Sequence, residues 1–219
     1  MSPPTNLTMK LESLTATGQI QKKVKLQFED GTSLQVLPEV VADFGLHSGM
    51  ELSEEEQTAI FAAQRRASAK ARAVRIVSAS NISKQELGRR LEQKGESAED
   101  AAEAVAWLEE LNSLDDSRMA KLLVQKEAAK GHGLARMKQV LYQKGIPQQL
   151  WDEALAGRPE ADEAIDRFLS SRLKGSKPDQ QQSKKLIDAL LRRGHSWSDI
   201  KKGLARYEAD LADVWEEEL

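Results

Sequence analysis

The chain has 219 residues, 31% of them charged and 5% aromatic, a formal net charge of -3 and no cysteine. That length can bury at least one substantial core, and the lack of thiols excludes a disulfide framework, a thiolate nucleophile and a thiolate metal site. With no signal-peptide pattern in "MSPPTNLTMK" and no apolar run of about eighteen residues, the sequence predicts a soluble, cytoplasmic protein that uses no membrane.

Ala, Leu, Glu, Lys, Arg and Gln are prominent, and these strong helix formers predict a mainly helical chain. The first fifty-two residues differ. "KLESLT" (10 to 15), "KKVKLQF" (22 to 28) and "TSLQVL" (32 to 37) alternate polar with apolar residues, and Asp30-Gly31 is a hairpin signal with both turn positions at positive φ. A small three-stranded antiparallel meander is expected. "PEVVADFG" (38 to 45), a short helix with Pro at N1 and Gly past its end, is placed over its apolar face.

From Ser53 the period changes to that of a helix. Ser53 and Glu56 form a capping box, acids fill the first turn, Arg65, Arg66, Lys70, Arg72 and Arg75 follow, and neither Gly nor Pro interrupts the run to Ser80. One long helix, 54 to 79, should join the sheet to the rest of the chain.

A pattern then recurs. "RRLEQKGES" (89 to 97), "QVLYQKGIP" (139 to 147) and "ALLRRGHS" (189 to 196) each close on a basic residue and a glycine: Gly95, Gly145 and Gly194. Four residues before stand Leu91, Leu141 and Leu190; eight before, Leu87, Met137 and Leu186; six after, Ala101, Trp151 and Ile200; ten after, Val105, Leu155 and Leu204. Positions four and eight back share a helix face, and glycine takes the left-handed position that ends the helix. Further helices follow each glycine (96 to 111, 146 to 156, 196 to 207) and precede each stripe (54 to 79, 117 to 130, 160 to 173). The fold class expected is mainly α, tandem three-helix repeats in an elongated curved array behind a small N-terminal antiparallel β meander. The divisions are 1–52, 53–115, 116–157, 158–207 and an acidic tail, 208–219.

Charge is segregated along this order. Residues 80 to 116 hold four basic residues against ten acidic, a net -6; 117 to 150 hold seven against Glu127 alone, a net +6; 158 to 206 hold twelve against seven, a net +5. The tail carries six acids and no base. An anionic partner is therefore sought in the middle of the chain.

The stretch from "NISKQELGRRLEQKG" to "ARMKQVLYQKGIP" resembles the bacterial RecX regulatory proteins through Lys94-Gly95, Leu114-Asp115-Asp116 and Gly131-His132-Gly133 in that order. "KKLIDALLRRGHSWSDIKKGL" is similar to the family's closing segment, with His195 where an aromatic commonly follows Arg-Gly and Trp197 two residues later. The resemblance spans about 59 to 206; the meander is similar to an extra sheet of some longer members. It implies a non-catalytic regulator that binds RecA filaments on single-stranded DNA and restrains ATP hydrolysis, strand exchange and co-protease activity in DNA repair and the damage response. The sign of regulation rests on the resemblance alone. Direct contact with single- or double-stranded DNA stays open, and a monomer is expected.

The binding residues are sought among Lys121, Lys126, Lys130, Arg136, Lys138 and Lys144, and in the doublets Lys184 and Lys185, Arg192 and Arg193, Lys201 and Lys202, of which one member each need face a partner. Asp115 and Asp116 are read as a helix cap. Trp107 and Trp151 are placed in the core, Trp197 in the open and Trp215 in the tail, which could fold onto the basic face. His47, His132 and His195 fit no metal or catalytic pattern, and Gly131-His132-Gly133 lacks the preceding strand and third glycine of a phosphate loop. No cofactor, metal or catalytic residue is expected.

Overall fold

The structure is a computed structural model that describes residues 8–17 and 23–207. The acidic tail and Trp215 lie outside the described residues. Four antiparallel strands open the chain: β1 (Met9–Thr17), β2 (Lys23–Phe28), β3 (Ser33–Val36) and β4 (Glu51–Leu52), in the order β3-β2-β1-β4. The meander thus has one strand more than expected. β4 is two residues long, too short for any alternation, and pairs Leu52 with Met9 and Glu51 with Lys10.

The hairpin between β2 and β3 also departs from the expectation. Gly31 has φ +84°, but Asp30 is not left-handed. The Gly31 amide donates to Phe28 O and the Phe28 amide to Thr32 O, a three-residue loop closed by a glycine bulge. Asp30 accepts from the Thr32 hydroxyl (2.6 Å) and amide (2.9 Å), which hold its carboxyl below the usual range.

Helix α1 (Pro38–Asp43) carries Pro at its start, and the chain turns back through left-handed Gly45. Leu11, Leu26, Phe28, Val36, Val40, Leu46 and Leu52 form one core with Ile60 and Ala67 of α2 (Glu54–Ala79). The sheet is therefore covered by both helices. The Ser53 hydroxyl accepts from the Glu56 amide at 3.2 Å, and the Glu56 carboxylate accepts from the Ser53 amide at 2.8 Å, completing the capping box.

The chain forms two compact units. The first runs to Ser80 and takes in Leu87–Leu114; the second comprises Asn81–Glu86 and the chain from Asp115. In the first unit, α4 (Ala98–Glu110) lies against α2, and its acids, with Glu96 in the turn before it, meet the basic side of that helix: Arg65 to Asp100 at 3.4 Å, Lys70 to Glu103 at 2.8 Å, Arg72 to Glu96 at 2.6 Å. The acidity of residues 80 to 116 is thus partly matched within the fold.

The three basic-glycine sites adopt one geometry. α3 (Lys84–Gln93), α6 (Leu134–Gln143) and α9 (Gln180–Arg192) each end at a glycine with φ of +92°, +67° and +86°. The next residue's amide donates to the leucine four before the glycine: Glu96 to Leu91, Ile146 to Leu141, His195 to Leu190. This is a Schellman cap, used three times. Leu87, Leu91, Met137, Leu141, Leu186 and Leu190 are all buried, as the stripe predicted, whereas Val105 is half-buried.

In the second unit, Asp115 caps α5 (Asp116–Ala129) by accepting the Arg118 amide at 2.9 Å, while buried Asp116 accepts the Lys84 amide at 3.0 Å and so fixes the start of α3. α5, α6, a short 3-10 turn (Gln148–Leu150) and α7 (Trp151–Ala156) enclose Met119, Val124, Met137, Leu141, Ile146 and Leu155. α8 (Ala161–Leu173), α9 and α10 (Trp197–Ala205) enclose Ile165, Leu169, Leu186, Leu190, Ile200 and Leu204. Trp151 and Trp107 are half-buried rather than fully buried, and Trp151 packs against the core of α5 to α7. Trp151 lies where its indole N–H reaches Ile146 O at 3.0 Å, and Lys70 sits 5.8 Å from the Trp107 ring centre.

The start of α6 meets the end of α9 backbone to backbone. Gly133 N donates to Arg193 O (2.9 Å) and Ala135 N to Gly194 O (3.1 Å). A Cβ on Gly133 would stand 2.2 Å from Gly194 O, and one on Gly194 would stand 2.4 Å from Arg136 N. Gly131-His132-Gly133 is therefore a packing element whose Gly133 amide is already engaged by protein.

His195 lies in this junction, 5% exposed, with Nε2 3.1 Å from Gly131 O. A carbonyl only accepts, so Nε2 carries the proton; Nδ1 is buried without a hydrogen-bond partner in the protein. Burial lowers the pKa below the ordinary 6.5; Arg193 and His132 push the same way, while the Gly131 bond and Asp199 oppose it. The unfolded chain then takes up a proton that the folded chain resists. Stability contributed by neutral His195 is fully present above about pH 6.5 and falls with acidification below it. Urea midpoints measured from about pH 7 to about pH 5.5 should drop more steeply for the wild type than for His195→Gln, which keeps an N–H donor and cannot titrate. Parallel slopes would show that the ring does not control acid stability.

Candidate functional site

α5 and α6 place the basic segment of the second unit. Their apolar faces are spent on the core, which turns the opposite faces to solvent. On α5, Arg118, Leu122 and Lys126 follow at intervals of four and are all exposed; on α6, Leu134, Lys138 and Tyr142 do the same. Tyr142 is 76% exposed, the most open large apolar side chain among the described residues. Each stripe thus carries uncommitted charge beside apolar surface.

The structure separates the expected binding residues by what they already touch. Lys126, Lys138 and Lys144 are exposed and make no ion pair among the described residues. Lys121 pairs with Glu153 at 2.6 Å, in solvent on both sides, which ties it weakly. Arg136 is half-buried and donates to Gln139 Oε1 at 2.7 Å.

Lys130 has an internal task. Its ammonium lies 2.6 Å from buried Glu127, which His132 Nδ1 also reaches at 2.6 Å. Burial alone would raise the Glu127 carboxyl, but the bonds from Lys130 and His132 outweigh it and hold the group below the usual carboxylate range. Lys130 and His132 thus serve to keep a buried carboxylate ionised.

On α9 and α10 the doublets divide. Arg192 is exposed, whereas Arg193 lies over the Phe168 ring at 4.9 Å and donates to Lys130 O at 3.2 Å, and so belongs to the packed junction. Lys184, Lys185, Lys201 and Lys202 are all exposed. Sequence reasoning looked for aromatic contacts among the tryptophans and passed over Tyr142. The signal was its place one turn beyond Lys138, off the Met137 and Leu141 stripe. Among the described residues, no group of three His, Asp or Glu side chains is arranged to hold a metal ion.

A regulatory protein RecX from Vibrio campbellii is 32% identical over 145 residues, which cover 65% of this chain and 94% of the relative. The chain belongs to the RecX family of regulatory proteins. Another family member, from Chlorobaculum tepidum, is 34% identical over 142 residues, covering 63% of this chain and 87% of its own. The model of the RecX second three-helix domain matches residues 115–155, the span of α5 to α7. The fold agrees: a crystal structure of regulatory protein RecX superposes with a TM-score of 0.70 over 90% of this chain and 99% of its own, at 22% identity. RecX from Lactobacillus salivarius gives 0.58 over 67% and 98%, at 18% identity. The first superposition takes in most of the chain, so the likeness of fold extends beyond α5 to α7.

Proposed function

We propose that this RecX-family chain is a non-catalytic regulator that binds RecA filaments on single-stranded DNA and lowers their ATPase, strand-exchange and co-protease activities in DNA repair and the damage response. The observation that carries this reading is the pair of exposed stripes on α5 and α6, in which Lys126 and Lys138 stand beside Leu122, Leu134 and Tyr142. Free cations beside apolar surface suit a protein partner of acidic character, because charge steers the encounter and the apolar groups supply contact area. Lys144, Lys185, Arg192 and Lys202 extend the basic character over the unit. Binding unequally to active and inactive filament would shift the balance between them without chemistry.

A second reading, in which the protein acts by covering single-stranded DNA, is favoured by Tyr142, an open aromatic one turn from a lysine and suited to stacking on a base. The test is the rate of DNA-dependent ATP hydrolysis by RecA with this protein titrated from far below to above the RecA concentration. Suppression at amounts too small to cover the DNA is the expected result. Suppression only at DNA-saturating amounts would transfer the reading to strand covering, and an unchanged rate would reject regulation of RecA ATPase.

A further inference from the structure

Within the first unit, the last turns of α2 and the end of α3 border an open concavity of about 370 Å³. Arg72, Arg75, Arg90 and Lys94 line it around an apolar floor of Ile76 and Ala79. None of these cations belongs to the basic segments described above, and two lie in the stretch with a net charge of -6.

Most of the basic residues on α2 are neutralised: Arg65 faces Asp100, and Arg66 and Lys70 share Glu103. At the concavity this matching stops. Arg72 Nε meets Glu96 at 2.6 Å, which orients its guanidinium, while Arg75 and Lys94 are exposed and form no ion pair among the described residues. Cations also gather at helix ends for the sake of the dipole, and α2 and α3 both end here. Their two C-termini supply about one negative charge between them, and Glu96 supplies another, against Arg72, Arg75 and Lys94, with Arg90 already engaged within the protein. A positive surplus remains.

We propose that this concavity is a phosphate-binding site, with Arg75 and Lys94 as donors and Arg72 held in place by Glu96. Planar guanidiniums offer paired N–H groups to phosphate oxygens, and the lysine adds a point charge. The phosphate comes from a nucleic-acid backbone or from a free nucleotide. The site lies wholly within the first unit and does not depend on RecA.

The test compares the full chain with Arg75→Gln/Lys94→Gln, using a labelled single-stranded oligothymidylate in a salt titration and inorganic tripolyphosphate in a thermal-shift assay. Loss of two backbone contacts should make the salt dependence of oligonucleotide affinity shallower by about 1.4, at roughly 0.7 per contact; that result assigns the site to a strand. An unchanged oligonucleotide slope with lost tripolyphosphate protection assigns it to free phosphates. Wild-type behaviour of the variant in both assays, or no binding of either probe by the wild type, overturns the proposal. Circular dichroism checks the fold; if the double variant is unfolded, Lys94→Gln alone is carried through the same assays, at an exposed position, with half the slope change expected.

Discussion

Gly194→Ala is expected to destabilise the protein by about 2 to 5 kcal/mol, against about 1 kcal/mol for Gly95→Ala. Both glycines occupy the same place in the same Schellman cap, with φ of +86° and +92°. Either alanine therefore meets the left-handed penalty. At Gly95 nothing lies within 4 Å of the added carbon, and the penalty is the whole effect. At Gly194 the carbon would stand 2.4 Å from Arg136 N, a backbone atom of α6 that cannot swing away. Relief would require α6 and α9 to part, breaking the bonds from Gly133 to Arg193 and from Ala135 to Gly194. Urea unfolding of the two variants side by side makes the comparison. Equal midpoints would show that the junction tolerates a shift and that only the caps matter.

A contrast of similar size separates fold from function. Leu141→Ala should cost about 2 to 5 kcal/mol, because the side chain is fully buried among Met119, Val124, Met137 and Leu155, and its removal leaves a cavity. Lys126→Glu/Lys138→Glu should instead leave the unfolding midpoint nearly unchanged, since both side chains are exposed and make no ion pair among the described residues. The same double change should weaken binding to RecA filaments by tenfold or more at low salt, on the order of 1.4 kcal/mol, with the loss shrinking as salt rises. Lys130 is left out of that variant: a carboxylate at 130 would face buried Glu127 and mix a packing defect with a binding defect. Sedimentation with filaments and urea unfolding of both variants decide the matter. Equal loss of helicity in both would mean that the stripe is structural.

Much of the fold was legible because it is written locally. A leucine, four positions, a basic residue and a glycine specify a helix face and its stop with no reference to the rest of the chain, and Ser53 with Glu56 specifies a start. What was not legible depends on distant partners. β4 exists because Met9 and Lys10 offer an open edge to two residues with no strand pattern of their own. The -6 of residues 80 to 116 looked like an isolated charge block until α2 supplied Arg65, Lys70 and Arg72.

The candidate site obeys the same rule. Composition located the basic helices, but only packing could show that Lys130 serves Glu127 and Arg193 serves Phe168, leaving Lys126 and Lys138 beside Leu122 and Tyr142. In the sequence, Gly131-His132-Gly133 could be set aside as a phosphate loop, but nothing showed what its backbone binds. Its Gly133 amide is taken by Arg193, sixty positions further on.

That backbone junction bears on where the chain can be cut. A sequence periodicity of about fifty residues suggests interchangeable modules, and Gly157 is a natural place to end a truncated version. Such a fragment would return the Gly133 and Ala135 amides to water and remove His195 from Gly131, a contact that spans 64 residues. The last two modules are thus spliced through their main chains, and shuffling either into another protein would have to carry both halves of the splice.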